Sequence, residues 1–308
     1  MQNRKMLLLL FLVGLSQLGR TQTYLPHSKG TVVSHTYYTL SYLEKQEQAE
    51  WVYYCLTPSM LTGHTKRTNN FRKDTAVPTG SATLADYQRS GYDRGHLMPA
   101  GDMTMNATAM SESFYLSNMS PQLPAFNRGI WKSLEALVRT WAHQEKLYIV
   151  TGGVLEDGLA EIGPNGVDVP NYYYKVIYAP KQQQMIAFIL PNKKVTQPLI
   201  NYVVTTDKVE QLTHIDFFAQ LPDTLEDKLE KSRNITHWNF TAEGTKKSYS
   251  SYSTTSNRSK RAAVKKRTTS NTTSRCCAIT KGGTRCKRNA KNGSRYCWQH
   301  QKKKLKKE

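Results

Sequence analysis

At Lys246 the chain changes texture, and the break confines any folded core to what lies before it. Between residue 246 and residue 308 there are twenty Lys/Arg against one acid, so about +19 of the formal +20 of the whole chain sits there. Residues 248–274 are dominated by Ser, Thr, Asn and basic side chains. A segment with so little to bury cannot offset its ordering entropy, and 246–274 reads as a disordered cationic linker. What precedes it is nearly neutral and carries the aromatic and branched residues that a core needs.

The opposite end is also set apart. Arg4 and Lys5 precede a nearly uninterrupted apolar run at 6–15, and polar sequence follows. This is the layout of an export signal, and the run is shorter than the roughly 20 apolar residues of a membrane span. We expect a signal peptide at 1–22, a folded domain at 23–245, and a periplasmic or secreted product with no stable membrane partner. Of five cysteines only Cys55 falls in that domain. A disulfide framework therefore does not hold it together, and its core must.

Within 24–240, residues 37–42 and 51–56 are rich in aromatic and β-branched side chains and read as strands joined by the polar stretch 44–50. Segments 147–152, 172–178 and 185–190 are further strand candidates, and the link between the first two is rich in glycine. Ile130, Leu134, Leu137, Val138 and Trp141 recur at the spacing of one buried helix face. Segments 209–218 and 225–229 look helical. Hairpin-like strand neighbours with a few helices give an α+β class.

The chemistry concentrates in Asp93-Arg94-Gly95-His96. Arg94 offers a planar fork of donors to phosphate charge, and His96 can take a proton from water near neutral pH. The loop at 57–90, before this motif, is basic through Lys66, Arg67, Arg72 and Lys73, as a groove for a polyanion would be. On the following helix Asn127, Trp131 and Glu135 lie four apart. An amide and a carboxylate two turns apart can serve one metal site, the first directly and the second by holding its waters. Taken singly, Asn118 and Asn127 are better explained as turn or helix-cap residues.

Together Asp93-Arg94-Gly95-His96, Tyr115-Leu116-Ser117-Asn118 with Pro121-Gln122, and Asn127 with Trp131 and Glu135 resemble the DNA/RNA non-specific endonucleases. That is the ββα-metal superfamily, which includes secreted sugar-non-specific nucleases and mitochondrial endonuclease G; the likeness covers about 24–240. It implies a central antiparallel sheet flanked by helices, with a ββα-metal motif. It also implies that His96 is the general base and that Asn127 is the sole direct protein ligand of Mg²⁺, with Mn²⁺ as an alternative. Glu135 would then orient the metal's waters, Arg94 would support the transition-state charge, and Asn118 would hold the histidine region in place. A further arginine on the upstream loop would reach the phosphate; Arg67 and Arg72 are the candidates, with Arg72 preferred. The implied reaction is hydrolysis of DNA and RNA to 5′-phosphate and 3′-hydroxyl ends. A nucleic-acid-binding protein on a degenerate nuclease fold is the rival reading, and intact His96, Arg94, Asn127 and Glu135 speak against it.

Residues 275–308 form a separate unit. Cys276 or Cys277, Cys286, Cys297 and His300 fall in a short polar stretch, a density of thiolate and imidazole that suits a closed Zn²⁺ site. The spacing resembles a short Cys/His module appended to bacterial and phage proteins, in which Cys276 would be the first ligand. Disulfide pairing is the alternative in an oxidising compartment. The lysines at 302–304 and 306–307, with the linker, would make the tail an electrostatic handle for nucleic acid.

Overall fold

The computed structural model describes residues 24–241. The chain begins with β1 (Thr31–Ser34), β2 (Tyr38–Leu43) and β3 (Gln48–Leu56), then passes through α1 (Leu84–Tyr87), β4 (Asp93–His96), α2 (Ala107–Glu112) and β5 (Met119–Gln122). Next come α3 (Pro124–Phe126) and α4 (Lys132–Ala142), with a π-helical turn, Asn127–Trp131, between them. Strands β6 (Leu147–Gly153), β7 (Ala160–Ile162), β8 (Val167–Val169), β9 (Tyr172–Ala179), β10 (Gln184–Pro191) and β11 (Val203–Val204) follow, and helices α5 (Thr206–Thr213) and α6 (Asp223–Glu230) close the described chain. The 1–22 signal, the 246–274 linker and the 275–308 module with Cys276, Cys277, Cys286, Cys297 and His300 lie outside these residues.

Seven strands form one sheet in the order β1-β2-β3-β6-β9-β10-β11, every pair antiparallel. This is the α+β architecture expected, a central antiparallel sheet with helices. Both of its faces are covered. Tyr173, Ile177, Val52, Tyr54, Ile149 and Phe188 pack in one cluster with Trp131, Leu134 and Val138 from the helical side. Their strand neighbours Tyr174, Val176, Trp51, Tyr53, Val150 and Ala187 pack in a second cluster with Val209, Phe217, Phe218 and Leu229. Alternate side chains of one strand thus enter different cores, which is why the strands read as apolar runs with little alternation. Among the described residues no helix is long and apolar enough to cross a membrane.

The helix face anticipated from Ile130 to Trp141 is present: Leu134, Leu137, Val138 and Trp141 are buried, and Ile130 packs against the same cluster. Some boundaries differ from expectation. The connection between β2 and β3 is a tight turn with Glu47 at φ 50°, so Gln48 to Glu50 belong to the strand. The buried Glu50 earns its place by accepting from Ser41 Oγ at 2.6 Å and from the backbone of Lys29 and Gly30. The helix expected at 209–218 runs Thr206–Thr213, and His214 at φ 55° ends it in the left-handed region.

Candidate active site

Strands β4 and β5 pair antiparallel outside the large sheet, with Asp93 opposite Gln122 and His96 opposite Met119. The helical segment that follows completes a ββα unit. Gly95 is required by this pairing, because a Cβ there would collide with the Gln122 side chain. Two contacts hold the end of β4. Trp131, fully buried, donates its indole N–H to the His96 carbonyl at 3.2 Å. Asn118 accepts from Met98 N at 2.9 Å and donates to the carbonyls of Met98 and Ser113, both at 2.9 Å. Both ends of that amide are spent on backbone, so Asn118 is a clamp on the chain after His96.

The His96 ring is only 7% exposed. Phe71 and Phe114 meet it edge-on, with centroids at 5.8 and 5.0 Å. Burial, reinforced by the charges of Arg67 and Arg94, pushes its pKa down to about 3, since a protonated ring there would lose its water and face two cations. The ring is therefore neutral at physiological pH and can act as a base. Its Nε2 is buried without a hydrogen-bond partner.

Arg94 is exposed and lies over the Phe71 ring at 4.2 Å, while Arg67 lies over the Phe114 ring at 4.7 Å. The two aromatic rings that flank the histidine thus each carry a guanidinium. Arg72 does not join them. It stacks on Tyr115 at 3.9 Å and donates to the carbonyls of Asn70 and Ser111, while its backbone pairs with Phe114 and Leu116. It pins the loop to the Tyr115 segment, and the upstream arginine that faces the histidine is Arg67.

Asn127 opens the π-turn, within which Gly129 takes non-helical angles, φ −103° and ψ −111°. The extra residue per turn breaks the simple four-apart stripe: Trp131 sinks into the core while Asn127 and Glu135 stay half-buried. Asn127 donates Nδ2 to Asp93 Oδ2 at 2.9 Å. That leaves its amide oxygen as the half of the side chain outside this bond. Asp93 also takes a two-pronged contact from Arg128, at 2.8 and 2.6 Å. Burial works to raise the Asp93 pKa, but hydrogen bonds from Arg128 and Asn127 win and hold it below the usual range.

Beneath Glu135 lies a buried charged layer that the motifs do not reveal. Asp102 accepts from Arg139 at 2.8 Å and from Tyr54 at 3.0 Å. Lys175, 1% exposed, sits with Nζ unpartnered 5.0 Å from the Trp131 ring centroid. Burial raises the Glu135 pKa and the Lys175 charge opposes that rise. One sign of this layer was available in sequence: a lone lysine in the middle of the aromatic run 172–179. A cleft of about 520 Å³ lined by Leu84, Tyr87, Gln88, Tyr92, Asp93 and Arg94 adjoins the motif.

Comparison with known proteins agrees with this geometry. Residues 19–224 match the family described as DNA/RNA non-specific endonuclease. A protein named Nuclease C1 from Cunninghamella echinulata var. echinulata is 37% identical over 204 residues, covering 60% of this chain and 81% of its own. Mitochondrial endonuclease G of Homo sapiens is 33% identical over 202 residues, covering 60% and 68%. Among solved structures, a chain from the crystal structure of an EndoG/EndoGI complex superposes with a TM-score of 0.59 at 32% identity, covering 64% of this chain and 89% of that one.

Proposed function

The chain belongs to the DNA/RNA non-specific endonuclease family; from that membership we propose that it is a Mg²⁺-dependent nuclease cutting DNA and RNA to 5′-phosphate and 3′-hydroxyl ends, and from the signal-like layout of residues 1–22 that it is exported. The observation that carries the reading is a neutral His96, flanked by aromatic rings bearing Arg67 and Arg94, on a strand bonded to the helical segment of Asn127 and Glu135.

The donor set fits Mg²⁺. An amide oxygen from Asn127, fixed by the Asp93 bond, and a half-buried carboxylate from Glu135 are hard oxygen donors, and Mg²⁺ is typically held by one or two protein oxygens with waters completing the octahedron. Asn127 would bind directly and Glu135 through water; Mn²⁺ suits the same donors. The ion's chemistry there is neutralisation of the phosphate and stabilisation of the departing 3′ oxygen.

The chain's own residues do the rest. His96 takes a proton from the attacking water at Nδ1, because Nε2 is sealed. The new bond forms between that water oxygen and phosphorus as the bond to the 3′ oxygen breaks. Arg67 and Arg94 take up the added charge on the phosphoryl oxygens, where planar donor forks match the geometry. Phe71 and Phe114 exclude solvent from the histidine and keep it unprotonated. Contacts to phosphate alone read neither the base sequence nor the 2′-hydroxyl that distinguishes RNA from DNA, consistent with cleavage of both nucleic acids.

Residues 1–22 direct export in this reading, and the basic 246–308 segment retains polyanionic substrate, with Cys276, Cys286, Cys297 and His300 holding Zn²⁺. Digestion of plasmid DNA and of RNA with and without EDTA, by wild type and His96→Ala, tests the central claim; equal rates for the two proteins would overturn it. Metal analysis with thiol titration on the full chain tests the zinc assignment, and sequencing the N-terminus of the exported protein tests the signal.

A further inference from the structure

On the face of the sheet away from His96, helices α5 and α6 bring together five carboxylates that the nuclease reading does not use. Asp207 and Glu210 lie three apart on α5; Glu226 and Glu230 lie four apart on α6; Asp216 is on the link between the helices. Each spacing places its pair on one helix face. Oxygens of Asp207, Glu210 and Glu230 lie within 4.8 Å of one another, and so do those of Asp216, Glu226 and Glu230. Glu230 belongs to both groups and is the hub of the cluster.

Glu230 is also the buried member. It is 8% exposed, and its Oε1 is sealed without a hydrogen-bond partner, as is Oε1 of Glu226. Among the described residues none of the five forms an ion pair. Of the nearby lysines, Lys208 donates to Gln211, and the exposed Lys231 pairs with Asp227 while its charge also acts on Asp207 and Glu230 without forming an ion pair with either. Glu210 is oriented by accepting the backbone N–H of Phe217 at 3.0 Å. The other side-chain partner of Glu230 is a second carboxyl, Glu210, and buried carboxylates set against each other are costly unless a cation or a proton sits with them.

We propose that Asp216, Glu226 and Glu230 form a divalent-cation site, of calcium type, that ties α6 to the link after α5, with Asp207 and Glu210 adding negative charge beside Glu230. The donors are all carboxylate oxygens, able to bind one- or two-pronged, and Asp216 is exposed, so water can complete the shell. That set suits the six to eight oxygens of Ca²⁺ better than the strict octahedron of Mg²⁺, and it offers no nitrogen or sulfur to zinc. The alternative neutraliser is a proton. Burial and the neighbouring carboxylates push the Glu230 pKa up to about 9 and that of Glu226 up to about 7, so without a cation the cluster favours protons near neutral pH. A bound cation would brace the α5–α6 corner, whose other side packs into the second core through Val209 and Leu229.

The test is a calorimetric Ca²⁺ titration and a thermal melt of the EDTA-stripped full chain at pH 7.5. We expect one Ca²⁺ site that survives Asn127→Ala, and a melting temperature raised by about 5–10 °C at a hundredfold excess over Kd. Glu230→Gln should abolish that binding. Asp216→Asn, at the exposed rim where folding is not at stake, should weaken it about tenfold. The proposal is overturned if wild type binds no Ca²⁺ that survives Asn127→Ala, or if binding is unchanged in Glu230→Gln and Asp216→Asn. It is overturned equally if acidification alone stabilises the stripped protein and Ca²⁺ does not, since the cluster then holds protons.

Discussion

The indole N–H of Trp131 donates to the backbone carbonyl of His96 at 3.2 Å. This bond ties the helical segment that carries Asn127 to the strand that carries the proposed base. It couples the two halves of the site through a residue with no chemistry of its own. Trp131→Phe keeps most of the buried ring but strands the carbonyl, at about 1–3 kcal/mol. We expect that loss in urea denaturation, together with a fall in turnover exceeding any fall in the folded fraction.

Arg67 and Arg72 are separable by experiment. Arg67 stands over Phe114 beside the histidine, whereas Arg72 is committed to Tyr115 and two carbonyls. Arg67→Ala is expected to lower kcat about 10²–10³-fold, the scale of removing one preorganised donor to transition-state charge. Arg72→Ala should cost about 1 kcal/mol of stability and leave turnover near wild type. A plasmid-nicking assay paired with denaturation curves separates the two, and the reverse ranking would restore Arg72 as the phosphate contact.

His96 makes a pH prediction with a definite sign. An ordinary imidazole gains its proton near 6.5, but burial and then Arg67 and Arg94 keep the folded one from doing so until about 3. Between those values the unfolded chain binds more protons, so stability falls as pH drops through that window. The limiting slope is about 1.4 kcal/mol per pH unit. His96→Asn, which cannot titrate, should lose less stability than wild type between pH 7 and pH 4.5 in matched urea titrations.

Asp93 is expected to act through Asn127. Its carboxylate accepts from Asn127 and from both prongs of Arg128. Partners that orient a ligand commonly affect metal affinity by about 10–100-fold when removed. Asp93→Ala should therefore raise the half-saturating Mg²⁺ concentration by about that factor, with turnover at saturating Mg²⁺ falling less. A metal titration of the initial rate reads this directly, and an unchanged half-saturation would remove Asp93 from the site.

Much of this geometry was legible in sequence, for identifiable reasons. His96, Asn118, Asn127 and Glu135 are tied to their places by short-range pairing, with β4 against β5 and one helical segment following, so order and spacing carry them. Strands β2, β3, β6, β9 and β10 were visible because both of their faces are buried and little polar alternation dilutes them, whereas β1, exposed at three of its four residues, and the two-residue β11 were not. The choice between Arg67 and Arg72 was not visible, because it depends on which side of an irregular loop meets Phe114. The π-turn was hidden too: one glycine with unusual angles moves Trp131 off the surface stripe and into the core. Asp102, Arg139 and Lys175 come from three distant segments and meet only under α4.

Lys175 shows how much that hidden layer weighs on the site. It is a buried ammonium in β9, an interior strand of the sheet, and its charge opposes the burial that raises the Glu135 pKa. If Glu135 must be ionised to hold metal-bound water, removing the ammonium makes it harder to keep so at neutral pH. Lys175→Met, close in volume, is expected to move the acid limb of the pH–rate profile to higher pH by about one unit. Lys175→Arg should restore the wild-type limb as far as the larger head group can be accommodated. A Lys175→Met profile that falls uniformly at every pH would assign the residue to packing alone, because a structural defect lowers the amount of active protein without moving the pH at which it titrates.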